Sequence, residues 1–312
     1  MHRRTLLSLL ALLPFASFAQ KAPSTLRIGY QKSSTLLTVL KVRGQLEQDL
    51  APLGVKVTWH EFSSGLPLLE ALNVGGVDLS ADVADTVPVF AQAAGAQLTY
   101  FAQEAPSPSA QAIVVRADSP INSVADLKGK KVAVTKAAGS HYLLIAALDK
   151  AGLRFKDIEP AYLTPADGRA AFERGSVAAW VTWEPYLAGV QNQSQVRVIA
   201  DGRNVADYQR YYLASTAYAE AHPEVLSVVY EALRKTGRWV KQSPKEAAEL
   251  LAPAWGLDAK TVELANSRRS YDVRVVLKDA LSEQQRIADA FYGEGLLPRK
   301  LDATAVPLWR LR

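Results

Sequence analysis

The chain has 312 residues, 49% of them hydrophobic, with 36 Lys and Arg against 31 Asp and Glu and no cysteine. Lack of cysteine excludes disulfides, thiolate metal sites, cysteine nucleophiles and a lipid-modified N-terminal cysteine, so stability must come from a core large enough for two ordinary domains. The net charge of +5 is scattered, with only short basic clusters such as Lys128, Lys130 and Lys131, which leaves no footprint for nucleic acid.

The first residues, MHRRTLLSLLALLPFASFAQ, place Arg3 and Arg4 ahead of an apolar run from Leu6 to Phe18, with Ser17 and Ala19 at the −3 and −1 positions of a cut before Gln20. This predicts a secretory leader over residues 1–19, cut after Ala19, and hence export of the chain. Ser8 and Pro14 interrupt the run, which falls short of the ~20 residues of a membrane span. Loss of Arg3 and Arg4 takes the charge from +5 to +3.

Beyond the leader, short β-like runs alternate with helical stretches. Strands are expected at Leu26–Tyr30, Val55–Phe62, Leu79–Val83, Leu98–Gln103, Gln111–Arg116, Lys131–Thr135, Ala161–Thr164, Ala178–Trp183 and Val196–Ala200. Helices fall between them, for example at Thr35–Leu50 and Ser140–Ala151. Such alternation predicts α/β lobes, each a mainly parallel sheet flanked by helices.

After about Tyr218 only helices are expected, at Pro223–Lys241, Pro244–Ala252, Asp258–Arg268 and Ser282–Glu294. An internal echo supports two lobes of similar topology. Glu70 to Leu79 leads through a strand to Asp85 and Pro88, and Ala170 to Ala179 leads through a strand to Glu184 and Pro185. Pro106–Arg116 and Arg210–Thr216 read as two crossover strands forming a hinge, with residues 24–109 and 214–312 in lobe I and 110–213 in lobe II. A cleft between the lobes is a favoured ligand position.

In open parallel sheets, ligands sit beyond the strand C-termini, where helix starts aim unpaired N–H groups outward. Here those junctions carry Gln31-Lys32-Ser33-Ser34, Ser63-Ser64-Gly65, Ala84-Asp85-Thr86, Ala137-Ala138-Gly139-Ser140 and Trp183-Glu184-Pro185. Each polar residue is individually an ordinary N-cap. Together they form a set of neutral donors suited to an anionic head group.

Ser140 and His141 do not make a nucleophile and base, because adjacent residues at a helix start point roughly 100° apart and no Gly-x-Ser-x-Gly elbow surrounds them. His141 is then a neighbour of the grip, packing or lining. With only His60, His141 and His222 beyond the leader, one per region, a histidine metal site is not expected. Trp183 either closes a hydrophobic gap or lies against an apolar part of a ligand. Glu184 either attracts a cationic amine or holds the hinge side by a salt bridge. Arg268 and Arg269 either reach over the cleft toward an oxyanion or compensate a helix C-terminus.

These residues resemble the periplasmic substrate-binding proteins of ABC importers in the sulfonate, taurine and nitrate group, most closely the alkanesulfonate branch. The resemblance rests on LRIGYQKSS (26–34), EALNVGGVDLS (70–80), VPVFAQAAGA (87–96), SPINSVADLKGKKVAVTKAAGSHYLL (119–144), YLTPADGRAAFERGSV (162–177) and AAWVTWEPY (178–186), and it spans essentially the whole chain after the leader. It implies a type II periplasmic-binding-protein (venus flytrap) fold that closes on an organosulfonate and hands it to a membrane permease and its ATPase for sulfur uptake. The head group would meet Gln31, Ser33, Gly65, Asp85, Thr86, Gly139 and Ser140, with Trp183 and Glu184 on the tail side. The family often has Gly-Asp where this chain has Ala84-Asp85, and a serine-rich loop at Ala137-Ala138-Gly139.

The expected protein is a monomer without catalytic residue, cofactor, metal or nucleic-acid partner. Alternative ligands are taurine, nitrate or another small oxyanion. An enzyme of the pyrimidine-synthesis type, on the same scaffold, ranks lower because the chain lacks cysteine and carries a leader. A periplasmic sensor domain is a third reading.

Overall fold

The computed structural model describes residues 24–311, and the leader expected over residues 1–19 lies outside them. The chain opens with β1 (Ser24–Gln31), α1 (Thr35–Arg43), α2 (Gln45–Leu50), β2 (Val55–Phe62), α3 (Gly65–Asn73), β3 (Leu79–Ala84), α4 (Thr86–Ala93) and β4 (Leu98–Glu104). It continues through β5 (Gln111–Arg116), β6 (Lys131–Val134), α5 (Gly139–Lys150), β7 (Glu159–Tyr162), α6 (Pro165–Glu173), β8 (Ala179–Trp183), α7 (Tyr186–Gln193) and β9 (Val196–Asp201). The remainder holds β10 (Arg210–Ser215), α8 (Thr216–Ala221), α9 (Pro223–Gln242), α10 (Pro244–Trp255), α11 (Ala259–Ser267), β11 (Val273–Arg274) and α12 (Ser282–Gly293).

The strands form two sheets, ordered β11-β4-β10-β3-β1-β2 and β7-β6-β8-β5-β9. In the first, β1 pairs in parallel with β2 and β3, and β10 runs antiparallel between β3 and β4. In the second, β6 pairs in parallel with β7 and β8, and β5 runs antiparallel between β8 and β9. The two crossover strands β5 and β10 thus sit inside separate sheets and do not make the expected pair with each other. Arg210–Leu213, which the sequence reading puts at the end of lobe II, lie in the first sheet. The crossings themselves are tied where the Ser107 N–H donates to the Asp207 carbonyl (3.1 Å) and the Gly202 N–H to the Pro108 carbonyl (2.9 Å).

Three local departures have plain causes. The helix expected over Thr35–Leu50 breaks at Gly44, whose φ of 61° is left-handed and caps α1. The strand expected at Ala161–Thr164 stops at Tyr162, because Thr164 accepts the Asp167 N–H (3.2 Å) and caps α6. β11 is only two residues long and pairs at the edge with β4, too short for any periodic signal.

Helices α1, α9, α10 and α11 bury Leu36, Leu40, Leu226, Leu233, Leu251 and Val262 against Leu26 and Ile28 of the first sheet. On the second sheet, Leu144 and Leu148 of α5 pack on Ile113 and Val132. Full burial of each such side chain stabilises by about 1.5–3 kcal/mol. The last helix behaves differently: Phe291 of α12 meets Phe90 of α4 edge-on (4.9 Å) and the His141 ring of α5 (4.9 Å), so α12 touches both lobes.

Candidate functional site

The C-terminal end of β1 runs into a loop whose shape is held from below. The Gln31 N–H donates to Ser34 Oγ (3.1 Å), Gln31 Nε2 donates to the Asp82 carbonyl (3.3 Å), and the Ser33 carbonyl accepts from Arg269 Nη1 (2.9 Å). Arg269 is itself buried among acids: its Nη2 donates to Asp82 (2.8 Å) and Glu104 (2.7 Å). Arg210 binds the same Asp82 carboxylate (2.6 Å), and Tyr212 donates to Glu104 (2.7 Å). Two arginines and two carboxylates balance, as buried charges require, and the acids hold the Arg269 guanidinium well above its usual pKa against the opposing effect of burial. The side chain expected to reach over the cleft therefore supports the Ser33 loop, while its Nε has no partner among the described residues.

Asp85 caps α4 from the end of β3, taking the Thr86 N–H (2.9 Å) on one oxygen and the Gln209 N–H (3.0 Å) on the other. The carboxylate thus joins the first lobe to the returning crossing. Burial, followed by the nearby Glu283, pushes its pKa up to about 7 against those two donors. Thr86 is fully buried beside it. Gly65 starts α3 so close to α4 that a Cβ would stand 2.8 Å from Val87 Cγ2, which explains glycine there by packing.

On the second lobe, α5 begins after Ala137, which takes a left-handed φ of 60°, an uncommon and mildly strained state for a residue with a Cβ. Ala138 occupies the N-cap without a side-chain bond; the His141 N–H donates to the Ala138 carbonyl (2.9 Å), which leaves the Gly139 and Ser140 N–H groups for other partners. Gly139 lies where a Cβ would come within 2.5 Å of the Tyr208 ring and 3.0 Å of Ala84 Cβ. Ala84 ends β3, so the two lobes meet at this glycine. Ser140 is completely buried, and its Oγ has no hydrogen-bond partner among the described residues.

His141 turns away from that junction. Its Nδ1 accepts the Ala137 N–H (3.2 Å), and its ring is enclosed by Phe155, Tyr162 and Phe291. Burial, with Lys136 adding to it, lowers its pKa to about 3. It is a neutral core histidine that shapes the Ala137 turn.

Trp183 ends β8 and packs in one cluster with Ala84, Val87, Ala110, Ala138 and Tyr208, joining both lobes. Glu184 follows; its Oε1 accepts from Arg268 Nη1 and its Oε2 from the Ala188 N–H (3.0 Å). Burial raises its pKa and Arg268 opposes this. Of the two expected roles, the geometry matches the salt bridge. Arg268, at the end of α11, also reaches Gln191 (2.7 Å).

The structure therefore gathers Thr86, Asp85, Gly139, Ser140, Trp183 and Glu184 at the lobe junction, stations Gln31 and Ser33 at the end of β1, and takes His141 and Arg269 into packed surroundings. Sequence reasoning missed Tyr208 and Gln209, which lie in a stretch without motif or periodicity. It also missed Gln111, whose one signal was an amide heading the otherwise apolar run QAIVV.

Known proteins share this fold. The family model described as NMT1/THI5 like matches residues 51–247. The periplasmic aliphatic sulphonate binding protein SsuA from Escherichia coli is 41% identical, covers 93% of each chain and superposes with a TM-score of 0.84. The alkanesulfonate-binding protein SsuA from Xanthomonas axonopodis pv. citri, solved bound to MOPS, is 37% identical over 90% of this chain and 96% of its own, also with a TM-score of 0.84. The taurine-binding periplasmic protein of Escherichia coli is 26% identical over 70% of this chain and 67% of its own length. The desulfurization enzyme DSZB, at 16% identity and a TM-score of 0.66, shares the fold. The chain belongs to the NMT1/THI5-like family and, within it, groups with the periplasmic aliphatic sulphonate binding proteins.

Proposed function

We propose that this protein is the substrate-binding component of an ABC importer, capturing aliphatic organosulfonates in the interlobe cleft and delivering them to a permease and its ATPase for sulfur uptake. It works as a periplasmic monomer, exported by a leader cut after Ala19, and it catalyses no reaction. The observation that carries this reading is the meeting of two helix starts from opposite lobes, at Thr86 and at Gly139-Ser140, where Ala84 and Gly139 approach each other. Both helix starts carry a partial positive charge, and that of α5 also offers the Gly139 and Ser140 N–H groups, the Thr86 N–H being held by Asp85; the buried Arg210 and Arg269 nearby are engaged by Asp82 and Glu104. Neutral, fixed donors suit a sulfonate.

In this reading the head group is held by Gln31, Ser33, Gly65, Thr86, Gly139 and Ser140, with Trp183 toward the tail. Asp85, His141, Glu184 and Arg269 position those residues. Ligand that touches both lobes favours the closed state by its differential affinity. The aliphatic tail distinguishes sulfonate from nitrate, because Trp183 and its small neighbours offer apolar surface that a bare ion does not use. Calorimetric titration with ethanesulfonate, taurine, nitrate and sulfate tests the reading. Saturable binding of the sulfonates with nitrate and sulfate weaker is expected; binding of nitrate alone, or of none of the four, would overturn it.

A further inference from the structure

Gln111 opens β5 and stands directly opposite Trp183 in the antiparallel ladder with β8. Residues so paired send their side chains to the same face, which makes Gln111 and Trp183 neighbours at the cleft end of the second sheet. The preceding Ala110 belongs to the cluster that joins the lobes around Trp183, Ala84 and Tyr208. Gln111 is 1% exposed, and neither its Oε1 nor its Nε2 has a hydrogen-bond partner among the described residues. A buried carboxamide with both ends unpaired is costly, whereas an apolar residue would head the run QAIVV at no such cost.

We propose that Gln111 is a specificity-determining residue that reads a hydroxyl on the tail of the bound sulfonate; this rests on the sulfonate reading above. A sulfonate oxygen only accepts, so alone it satisfies Nε2 and leaves Oε1 unpaired. A hydroxyl on the tail donates to Oε1, so a hydroxyalkanesulfonate meets both ends. An ammonium also donates, but it brings a charge that needs a counter-ion once buried. The carboxylates at this junction are occupied: Asp85 by the Thr86 and Gln209 N–H groups, and Glu184 by Arg268 and the Ala188 N–H. The order of preference is thus hydroxylated tail, then plain alkyl, then amine.

Titration calorimetry of the mature chain with 2-hydroxyethanesulfonate, ethanesulfonate and taurine, for the wild type and Gln111→Met, tests this. The wild type should bind 2-hydroxyethanesulfonate about tenfold more tightly than ethanesulfonate, the worth of one good hydrogen bond, with taurine weakest. In Gln111→Met the ratio of the first two affinities should fall to about one, whatever happens to their absolute values. A wild-type ratio near one overturns the proposal without any variant, and so does a ratio that survives Gln111→Met. If the wild type binds none of the three, the sulfonate reading itself fails.

Discussion

Arg268, at the end of α11 in the first lobe, donates to the buried Glu184 carboxylate at the end of β8 in the second. The pair spans the cleft, and because Glu184 is only 3% exposed, removing its cation strands a charge away from water. Breaking a buried pair from one side costs about 3–5 kcal/mol. Arg268→Ala should therefore weaken ethanesulfonate binding by about two to four orders of magnitude, and Glu184→Gln in that background should recover part of the loss. A double-mutant cycle read by calorimetry checks this; additive effects of the two substitutions would show that the pair does not couple the lobes.

Gly139 predicts a steric block. A Cβ there meets the Tyr208 ring at 2.5 Å, and overpacking of a tight contact costs about 1–3 kcal/mol. Gly139→Ala should lower sulfonate affinity by about five- to a hundredfold, with Gly139→Val lower still. Small-angle scattering with saturating ligand should find the valine variant more open than the wild type.

His141 and Asp85 pull the pH dependence of stability in opposite directions. The folded state holds His141 neutral, lowering its pKa from 6.5 to about 3. Its contribution is complete above pH 6.5 and is lost as the pH falls from 6.5 toward 3. His141→Gln should flatten the acid limb of a melting-temperature profile in that window.

Asp85 has the reverse sign. With its pKa raised from 3.8 to about 7, the folded protein binds the extra proton between those values. Its contribution is greatest below about pH 4 and declines as the pH rises to 7. Removal of the titration by Asp85→Asn should therefore steepen the fall in stability on acidification from pH 7 to 4, measured by thermal melts against the wild type.

The buried ion cluster predicts a stability effect. Arg269→Met leaves Asp82 and Glu104 with one fewer cation, at a cost of about 3–5 kcal/mol. The melting temperature should drop by several degrees, and the Ser33 loop should lose its support because the Arg269 bond to the Ser33 carbonyl goes with it.

Much of the fold is legible in the sequence because its strands are short apolar or alternating runs and α/β helices carry regular apolar spacing. The runs at Val55–Phe62 and Gln111–Arg116 coincide with strands to the residue. The junctions are legible for a related reason, since small and hydroxylated residues must follow those strands. Partners distant in sequence are not. Asp82 within LSADVA reads as a polar residue in a buried strand, yet its cations Arg210 and Arg269 lie 128 and 187 positions away. The roles of Glu184 and Arg269 depended on such pairings, and the destination of His141 depended on Phe155, Tyr162 and Phe291 from three other segments.

The central claim is that a sulfonate is gripped by neutral donors from two lobes. A crystal structure with ethanesulfonate tests it most directly. Head-group oxygens should lie within hydrogen-bonding distance of the Gly139 and Ser140 N–H groups and Ser140 Oγ on one side and of Ser33 on the other, with the ethyl group toward Trp183. A head group paired with Arg268 or Arg269, or lying outside the interlobe cleft, would contradict it.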